Sequence, residues 1–570
     1  MGFYGVAANL VVYLTTQLHE DTVSSVRNVS NWSGSVWLTP ILGAYIADAY
    51  FGRFWTFTVS SLVYVLVRAD MIPTFSCTYP SSFSTCISTG MGLLTMAVSV
   101  KSLRPTCTSE ACGHATPLQV AFFYASLYVV AVGAGGTKSN ISTFGADQFD
   151  DFDPHERKLK ASFFNWWMFS SFLGALFATL GLVYVQENVS WGVGYGIPTT
   201  GLVVSLLIFY AGAPNYRHKA RKAESPAREI VKVWTTAFAN RRFELPDDPA
   251  ELFELEPRHY LLTGKRRLHH TSSFSRFLDR AAIKEGADPC TVTQVQEAKL
   301  VAGMTLIWFA TLVPSIIAAQ VNTLFVKQGT TLDRQLGQGL RIPAASLGSF
   351  ITISMLLAVP LYDRYFVPFM RRRTGNPRGI TILQRLGVGF GFQVLDALVA
   401  YAVELRRMHV IRQRAVVGPG DTVPMSIFWL LPQYVLLGVG DVFNAIGLLE
   451  FFYDQSPESM QSLGTTFFTS SIGVGNFLNS LLVTVVDRVT RAGGGKSWIG
   501  NSLNDSHLDY YYAFLMAISA INLAVFVWVS IEYEYKEEAL EVTEAKVVCV
   551  QMEGKLVDAP PASVEDRVRP

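Results

Sequence analysis

The chemistry in this sequence starts with a lysine set inside a glycine-rich apolar stretch. Lys138 follows Gly133-Ala134-Gly135-Gly136-Thr137, late in the apolar run 117–140. A charged side chain in such a run costs about 2.5–3.5 kcal/mol on insertion scales, so it marks a working site unless a neighbouring helix pairs with it. Glu450 closes the run 423–449 and is the natural mate: an ion pair between the two would shut a gate and break when a site opens. The alternative for Glu450 is an interfacial acid in water. Asp441 lies nine residues before Glu450. That is about 900° of helical rotation, so Asp441 falls on the opposite face. Asp396, in the run 379–403, reads as facing a partner helix. Gln320 and Asn322, in the run 300–326, suit either contact with a bound molecule or hydrogen bonds between helices. The small-residue run 465–479 reads as helix packing.

Other chemistries are not supported. The sequence holds no glycine-rich phosphate loop, zinc-ligand spacing or nucleophile elbow, which argues against an enzyme. Asp147, Asp150, Asp151 and Asp153, beside Lys158 and Lys160, read as a solvated loop at a helix terminus rather than a metal site. The six cysteines lack metal spacing, although Cys107 and Cys112 share one loop and would suit a disulfide if it faces outward. A net charge of +1, with charges alternating in sign, gives no footprint for nucleic acid. The amino terminus lacks a basic segment and cleavage site. Val6 stands where a myristoylation signal needs Ser or Thr.

The elements that must position these residues are membrane helices. Half of the chain is hydrophobic and 16% is charged, against roughly 25% in an average soluble domain. The deficit sits in runs 32–50, 117–140, 161–185, 192–212, 300–326, 342–362, 379–403, 423–449, 462–486 and 510–531, with a shorter run at 1–18. Each long run approaches the roughly 20 apolar residues that cross a bilayer, and helices are the form that satisfies the backbone there. A polar stretch, 214–299, divides the chain and carries Arg217, Lys219, Arg221, Lys222, Arg241, Arg242, Lys265, Arg266 and Arg267. The positive-inside tendency puts this linker in the cytoplasm, with Arg53 and Arg371-Arg372-Arg373 on the same side. The sequons at Asn28, Asn188 and Asn504 then fall in outer loops. Arg406, Arg407, Arg412 and Arg414 conflict with this topology.

The halves look related. Asp48-Ala49-Tyr50-Phe51-Gly52-Arg53 closes the second span of the first half, and Asp363-Arg364 closes its counterpart in the second. Such pairs suit parallel repeats about a central axis, with a site near the midplane, or are ordinary juxtamembrane charges. The third span is split: 55–66 and 90–100 are each about half a membrane long. The stretch 67–89 between them, with Arg68, Asp70, Pro73 and Pro80, reads as an insertion such as a retained intron. A broken helix with a re-entrant loop is the alternative.

Taken together, several motifs carry a resemblance. Asn31-Trp32-Ser33-Gly34, Gly43-Ala44-Tyr45-Ile46-Ala47-Asp48-Ala49-Tyr50-Phe51-Gly52-Arg53, Gly133-Ala134-Gly135-Gly136-Thr137-Lys138-Ser139-Asn140, Gly145-Ala146-Asp147-Gln148-Phe149, Asn322-Thr323-Leu324-Phe325-Val326, Gly379-Ile380-Thr381-Ile382-Leu383-Gln384-Arg385 and Leu449-Glu450-Phe451-Phe452-Tyr453 are similar to those of the plant nitrate/peptide transporter family. That family is also called proton-dependent oligopeptide transporters. The resemblance covers nearly the whole membrane part. It implies the all-α major-facilitator fold, two six-helix bundles with pseudo-two-fold symmetry. It also implies proton-coupled symport of nitrate, short peptides or plant hormones and metabolites by alternating access, with protons as the coupling ion and no cofactor. In similar transporters the lysine and glutamate matching Lys138 and Glu450 serve coupling and the central cavity. Tyr4, Gln320, Asn322 and Asp441 complete the expected site, and Asp48, Gly52, Arg53, Asp363 and Arg364 the gating motifs.

Three departures qualify the resemblance. Most members carry Glu-x-x-Glu-Arg just before the run seen here as Phe3-Tyr4-Gly5. This chain begins after it, so the first helix reads as truncated, and either the gene model is short or coupling is unconventional. The fifth-span Tyr and Asn that touch peptide align with Met168 and Phe172. The seventh span lacks the histidine associated with nitrate carriers. The alternative function is a transport-deficient sensor or scaffold. The expected organisation is a bundle over 1–213, a linker over 214–299, a bundle over 300–533 and a disordered tail over 534–570. Expected partners are the lipid bilayer and a small solute, with no nucleic acid. The expected state is a monomer or weak dimer in the plasma membrane or the vacuolar membrane.

Overall fold

The computed structural model describes residues 2–47, 50, 52–65, 90–105, 107–108, 111–112, 115–149, 153–217, 226–246, 248–256, 258–260, 267–268, 270, 276–286, 288–337, 339–376, 378–414, 421–457, 461–492, 497–533 and 535. Asp48, the segment 67–89 and the tail beyond 535 lie outside the described residues. Contacts divide the chain into two units. The first comprises Met1–Ala223, Ile307–Phe452 and Thr465–Ile531. The second comprises Glu224–Leu306, Tyr453–Gly464 and Glu532–Pro570.

Among the described residues, nine helices are long and apolar enough to cross a membrane. Their exposed surfaces are greasy: Leu207, Ile208, Leu357, Ile521 and Ile531 all face outward, as lipid-facing positions do. Strand is confined to three two-residue or short pairings at loop ends. One of them sets Cys107 opposite Cys112 in antiparallel register. The side chains of these cysteines lie outside the described residues.

Several helices end where polar chemistry, not hydropathy, dictates. The run 32–50 belongs to helix Thr22–Ile46, which starts earlier because Asp21 caps it by accepting from Ser24 N at 3.0 Å. The run 1–18 folds as two pieces, Gly2–Ala7 and Leu10–Thr16. The run 300–326 is interrupted by a tight turn at Gln320–Asn322, between Leu312–Ala319 and Leu324–Thr330. The run 379–403 extends as Ile382–Arg414. It can do so because Arg407, fully buried, donates to Glu404 at 2.6 Å, Asn504 Oδ1 at 2.9 Å and Leu503 O at 2.7 Å. One of the four arginines that conflicted with the topology is therefore neutralised inside the protein.

Two of the three sequons do not behave as outer-loop acceptors. Asn28 lies inside helix Thr22–Ile46, and its Nδ2 donates to Glu20 at 3.3 Å and Tyr124 Oη at 2.7 Å. Asn504 is buried against Arg407 and Asp421 O. Asn188 is exposed at a helix end.

The two short helices within 53–99 have a simple geometry. Helices Arg53–Val65 and Gly90–Ser99 both pack on helix Pro117–Ala146. A methyl on Gly136 would strike Ser60, and one on Gly90 would meet Val130 N at 2.5 Å. Gly136 and Val130 are six residues apart, about 9 Å of antiparallel helix. Counting six on from Ser60 reaches position 66, so Gly90 occupies the place a continuous helix would give to residue 66.

The second unit has its own small core, in which Val233, Ala237, Leu278, Ala281, Cys290 and Val295 pack together. A buried ion pair, Lys299–Asp279 at 2.8 Å, stiffens it, with His270 3.4 Å from the same carboxylate. Tyr260 donates to Glu254, which also accepts from Thr293 N at 2.9 Å. Burial, helped by Glu254, pushes the Tyr260 phenol up to about 12.

Candidate functional site

Lys138 is held by rings. Its Nζ lies 3.9 Å from the centroid of Phe3 and 3.8 Å from that of Trp37, and it has no hydrogen-bond partner among the described residues. Phe3 in turn stacks on Trp32 at 5.7 Å and meets Trp37 edge-on at 5.9 Å. Trp32 is fixed by donating to Leu127 O at 2.8 Å. Three helices thus build an aromatic seat for one ammonium. Cation–π contact there offsets about 2 kcal/mol of desolvation, far less than a counter-ion would. Tyr4, at 43% exposure, meets Phe3 edge-on beside this seat.

Glu450 is not the partner of Lys138 in this conformation. It accepts from Arg385 at 3.1 Å and lies 3.5 Å from Arg378, both in its own half. Arg385 also donates to Val442 O at 2.8 Å and stacks over Tyr362. The expected cross-half pair gives way because a longer, already desolvated cation reaches Glu450 first. Arg385 runs along the same helix from Val442 to Glu450.

The gating motifs are also rearranged. Arg53 pairs with Asp147 at 2.6 Å. Gly52 takes a positive φ of 78°, the turn that feeds Arg53 into its helix. Asp363 and Arg364 sit exposed in a π-turn, Tyr362–Phe366, with no ion pair between them and no partner among the described residues. The structural counterpart of Arg53–Asp147 is instead Arg385–Glu450. Each joins the start of one helix, Arg53–Val65 or Ile382–Arg414, to the end of a later one, Pro117–Ala146 or Leu431–Gln455. Asp153 caps the next helix through His155 N at 2.9 Å, and Asp150 and Asp151 lie outside the described residues.

Gln320 is fully buried and donates to Asn479 Oδ1 at 2.8 Å, and Asn479 donates to Ser30 Oγ at 3.0 Å. This chain joins the two halves. Asn322 sits part-exposed in the helix break and makes no side-chain hydrogen bond among the described residues. Asp441 is half-buried and acts electrostatically on Asp396, which is completely buried. Phe172 is half-buried, and the side chain of Met168 lies outside the described residues.

Contacts that sequence reasoning missed tie the halves at the end opposite Arg53. Lys327 donates to Thr15 at 3.2 Å, Arg334 pairs with Glu187 at 3.1 Å, and Thr22 N donates to Asn501 at 2.9 Å. Burial pushes the Arg334 guanidinium down, with Glu187 opposing. Near the middle, a methyl on Gly34 would lie 2.9 Å from Gly473 O, so the two helices meet backbone to backbone. A cavity of about 340 Å³ opens at the seam, lined by Thr15, Thr16, Glu187, Lys327, Thr330 and Arg334. The signal for this closure was thin: Arg334 sits in a short polar loop like many others.

Comparison with known proteins agrees with this architecture. A sequence model of the POT family matches residues 81–499. Two Arabidopsis thaliana proteins are similar along nearly the whole chain. "Protein NRT1/ PTR FAMILY 5.1" is 63% identical, over 99% of this chain and 93% of its own length. "Protein NRT1/ PTR FAMILY 5.2" is 46% identical, over 96% and 91%. Among solved structures, an auto-inhibited POT family peptide transporter superposes with a TM-score of 0.66 at 19% identity, covering 94% of this chain and 95% of that one. The POT family transporter PepTSo gives 0.65 at 20% identity, covering 93% and 95%. At such identities the likeness speaks for the fold, an all-α arrangement of membrane-spanning helices.

Proposed function

The chain belongs to the POT family of membrane transporters, within the major facilitator superfamily, and on that premise we propose that it carries out proton-coupled symport of a small solute by alternating access. The observation that carries the reading is Lys138: an ammonium without a counter-ion among the described residues, seated on Phe3 and Trp37. Such a group is costly unless something negative comes to it. The solute therefore bears an anionic group, as nitrate, a peptide carboxylate or an acidic hormone does. Tyr4, Asn322 and Asp441 are the further side chains assigned to solute or proton, and Glu450 joins them when its arginines release it.

The helices are assigned to two six-helix bundles, 1–213 and 300–533, with 214–299 as a cytoplasmic linker. Arg53–Val65 and Gly90–Ser99 together form the third helix, and 67–89 is an insertion at their junction, a reading supported by their spacing along Pro117–Ala146. In this orientation the ties Lys327–Thr15 and Arg334–Glu187 close the outer side. The inner pairs Arg53–Asp147 and Arg385–Glu450 each hold a single half together. The protein is assigned to the plasma membrane as a monomer or weak dimer.

The test is uptake by oocytes expressing the chain, at acidic and neutral external pH, over a panel of nitrate, dipeptides and carboxylate hormones. Acid-stimulated uptake of an anion-bearing member is expected. Surface-expressed protein that moves no member would favour a sensor or scaffold instead.

A further inference from the structure

The second half contains a buried acid that nothing in the fold compensates. Asp396 is 0% exposed, and neither carboxylate oxygen has a hydrogen-bond partner among the described residues. It sits midway along helix Ile382–Arg414. Removing an anion from water without a partner costs several kcal/mol, so an acid in such a place survives because it carries a proton. Asp441 on helix Leu431–Gln455 acts on it electrostatically, and two facing acids disfavour both being charged.

The surroundings offer no alternative. Tyr434 precedes Asp441 by seven residues, two helical turns, and therefore shares its face. It interacts with Asp396, and its hydroxyl is itself without a partner. The segments packed on this helix, Leu312–Ala319, Val423–Ser426 and Ile427–Leu430, bring no ionisable side chain, and Leu508–Glu532 brings Phe526 against Phe390. Of the arginines on the helix, Arg385 is engaged with Glu450 and Arg407 with Glu404, while Arg406, Arg412 and Arg414 lie ten or more residues from Asp396, about 15 Å or more along the axis. Arg385 lies eleven residues from Asp396, about 16 Å along the axis.

The contact between the two acidic helices is close. A methyl on Gly440 would lie 3.1 Å from Phe392 Cβ, and one on Gly389 would lie 2.9 Å from Asn444 N. Helices packed backbone to backbone respond to a charge appearing between them.

We propose that Asp396 and Asp441 form a proton-binding pair, with half-buried Asp441 as the port and Asp396 as the deep site. The proton arrives on the Asp441 carboxylate, passes to Asp396 and leaves by the same port when the opposite side opens. No other group changes its bonding. Loss of the proton sets an uncompensated charge against Gly440 and Phe392 and shifts the packing of the two helices, which are tied at one end by Arg385–Glu450.

The proposal rests on the proton-coupled reading above, and its test separates the two. The purified full chain is placed in proteoliposomes as wild type, Asp396→Asn and Asp441→Asn. Asn is isosteric and removes a buried charge, so unchanged melting temperatures verify folding, and Asp396→Glu serves as the conservative variant. In both variants, accumulation driven by an inward proton gradient should fall about tenfold or more, and in Asp396→Asn solute counterflow should stay within about twofold. Asp396→Glu should restore part of the drive. Infrared difference spectra across a pH step should show a protonated-carboxyl band in the wild type that Asp396→Asn abolishes and Asp441→Asn shifts. Full proton drive in Asp396→Asn, or a band indifferent to both substitutions, overturns the pair. A wild type that shows the band but no proton-driven accumulation leaves the pair standing and overturns the symport reading.

Discussion

The two halves of the membrane unit use the same device at one end and opposite devices within their spans. Arg53–Asp147 in the first half and Arg385–Glu450 in the second join equivalent helices with equivalent ion pairs. Within the spans, the first half holds a cation, Lys138, and the second an acid, Asp396, each without a hydrogen-bond partner among the described residues. Their opposite ends differ as well. The first half is tied there by neutral donors, Tyr124 and Asn28, on Glu20 at 2.7–3.3 Å, and the second by the fully buried pair Arg407–Glu404. Satisfied charges mark where a half is held together, and the proposed function places its work at the unsatisfied ones.

That distinction breaks first at Arg407. Replacing it with Ala strands Glu404 in the core and should cost about 3–5 kcal/mol, read as loss of folded protein in a thermal melt. Pairing Arg407→Met with Glu404→Leu should recover most of the loss. Lys138 should behave in the opposite way. Lys138→Ala should leave the melting temperature unchanged or raised, because no partner is stranded, while uptake per surface molecule falls about tenfold or more. A destabilised Lys138→Ala with normal uptake would move Lys138 into the structural class.

The inner pairs come next. Double-mutant cycles of Arg53 with Asp147 and of Arg385 with Glu450 should each give a coupling of about 1 kcal/mol, the range of partly exposed pairs. The two values should be similar, since each pair sets one well-buried partner, Asp147 at 12% or Arg385 at 11% exposure, against one about a third exposed. The smallest effect is at Glu20. Burial holds its carboxyl above the ordinary 4.5, with Tyr124 and Asn28 pulling it back. A carboxyl raised on folding contributes stability below its unfolded value and loses it as pH rises through the folded one. Glu20→Gln should therefore flatten the melting profile just above pH 4.5, by about 2 °C or less.

What the sequence made legible follows from what hydropathy can report. The apolar runs and a lysine inside one of them are composition and position, and they could be read directly. Helix ends set by a cap such as Asp21, or by a buried pair such as Glu404–Arg407, could not, because the deciding partner is local chemistry or lies far along the chain. The expected mates were misjudged for the same reason. Arg364 stands next to Asp363 in sequence yet makes no ion pair with it, while Arg385, 65 residues from Glu450, reaches that acid. Asp396 looked like an ordinary packing residue because nothing in a sequence shows that a carboxylate lacks partners.

The most direct test of the account is solute accumulation by the wild-type chain in proteoliposomes with an imposed inward proton gradient. The account predicts accumulation of an anion-bearing solute above its external concentration, collapsed by a protonophore and absent in Lys138→Ala. Uptake that only equilibrates, indifferent to the gradient and to Lys138, would contradict it.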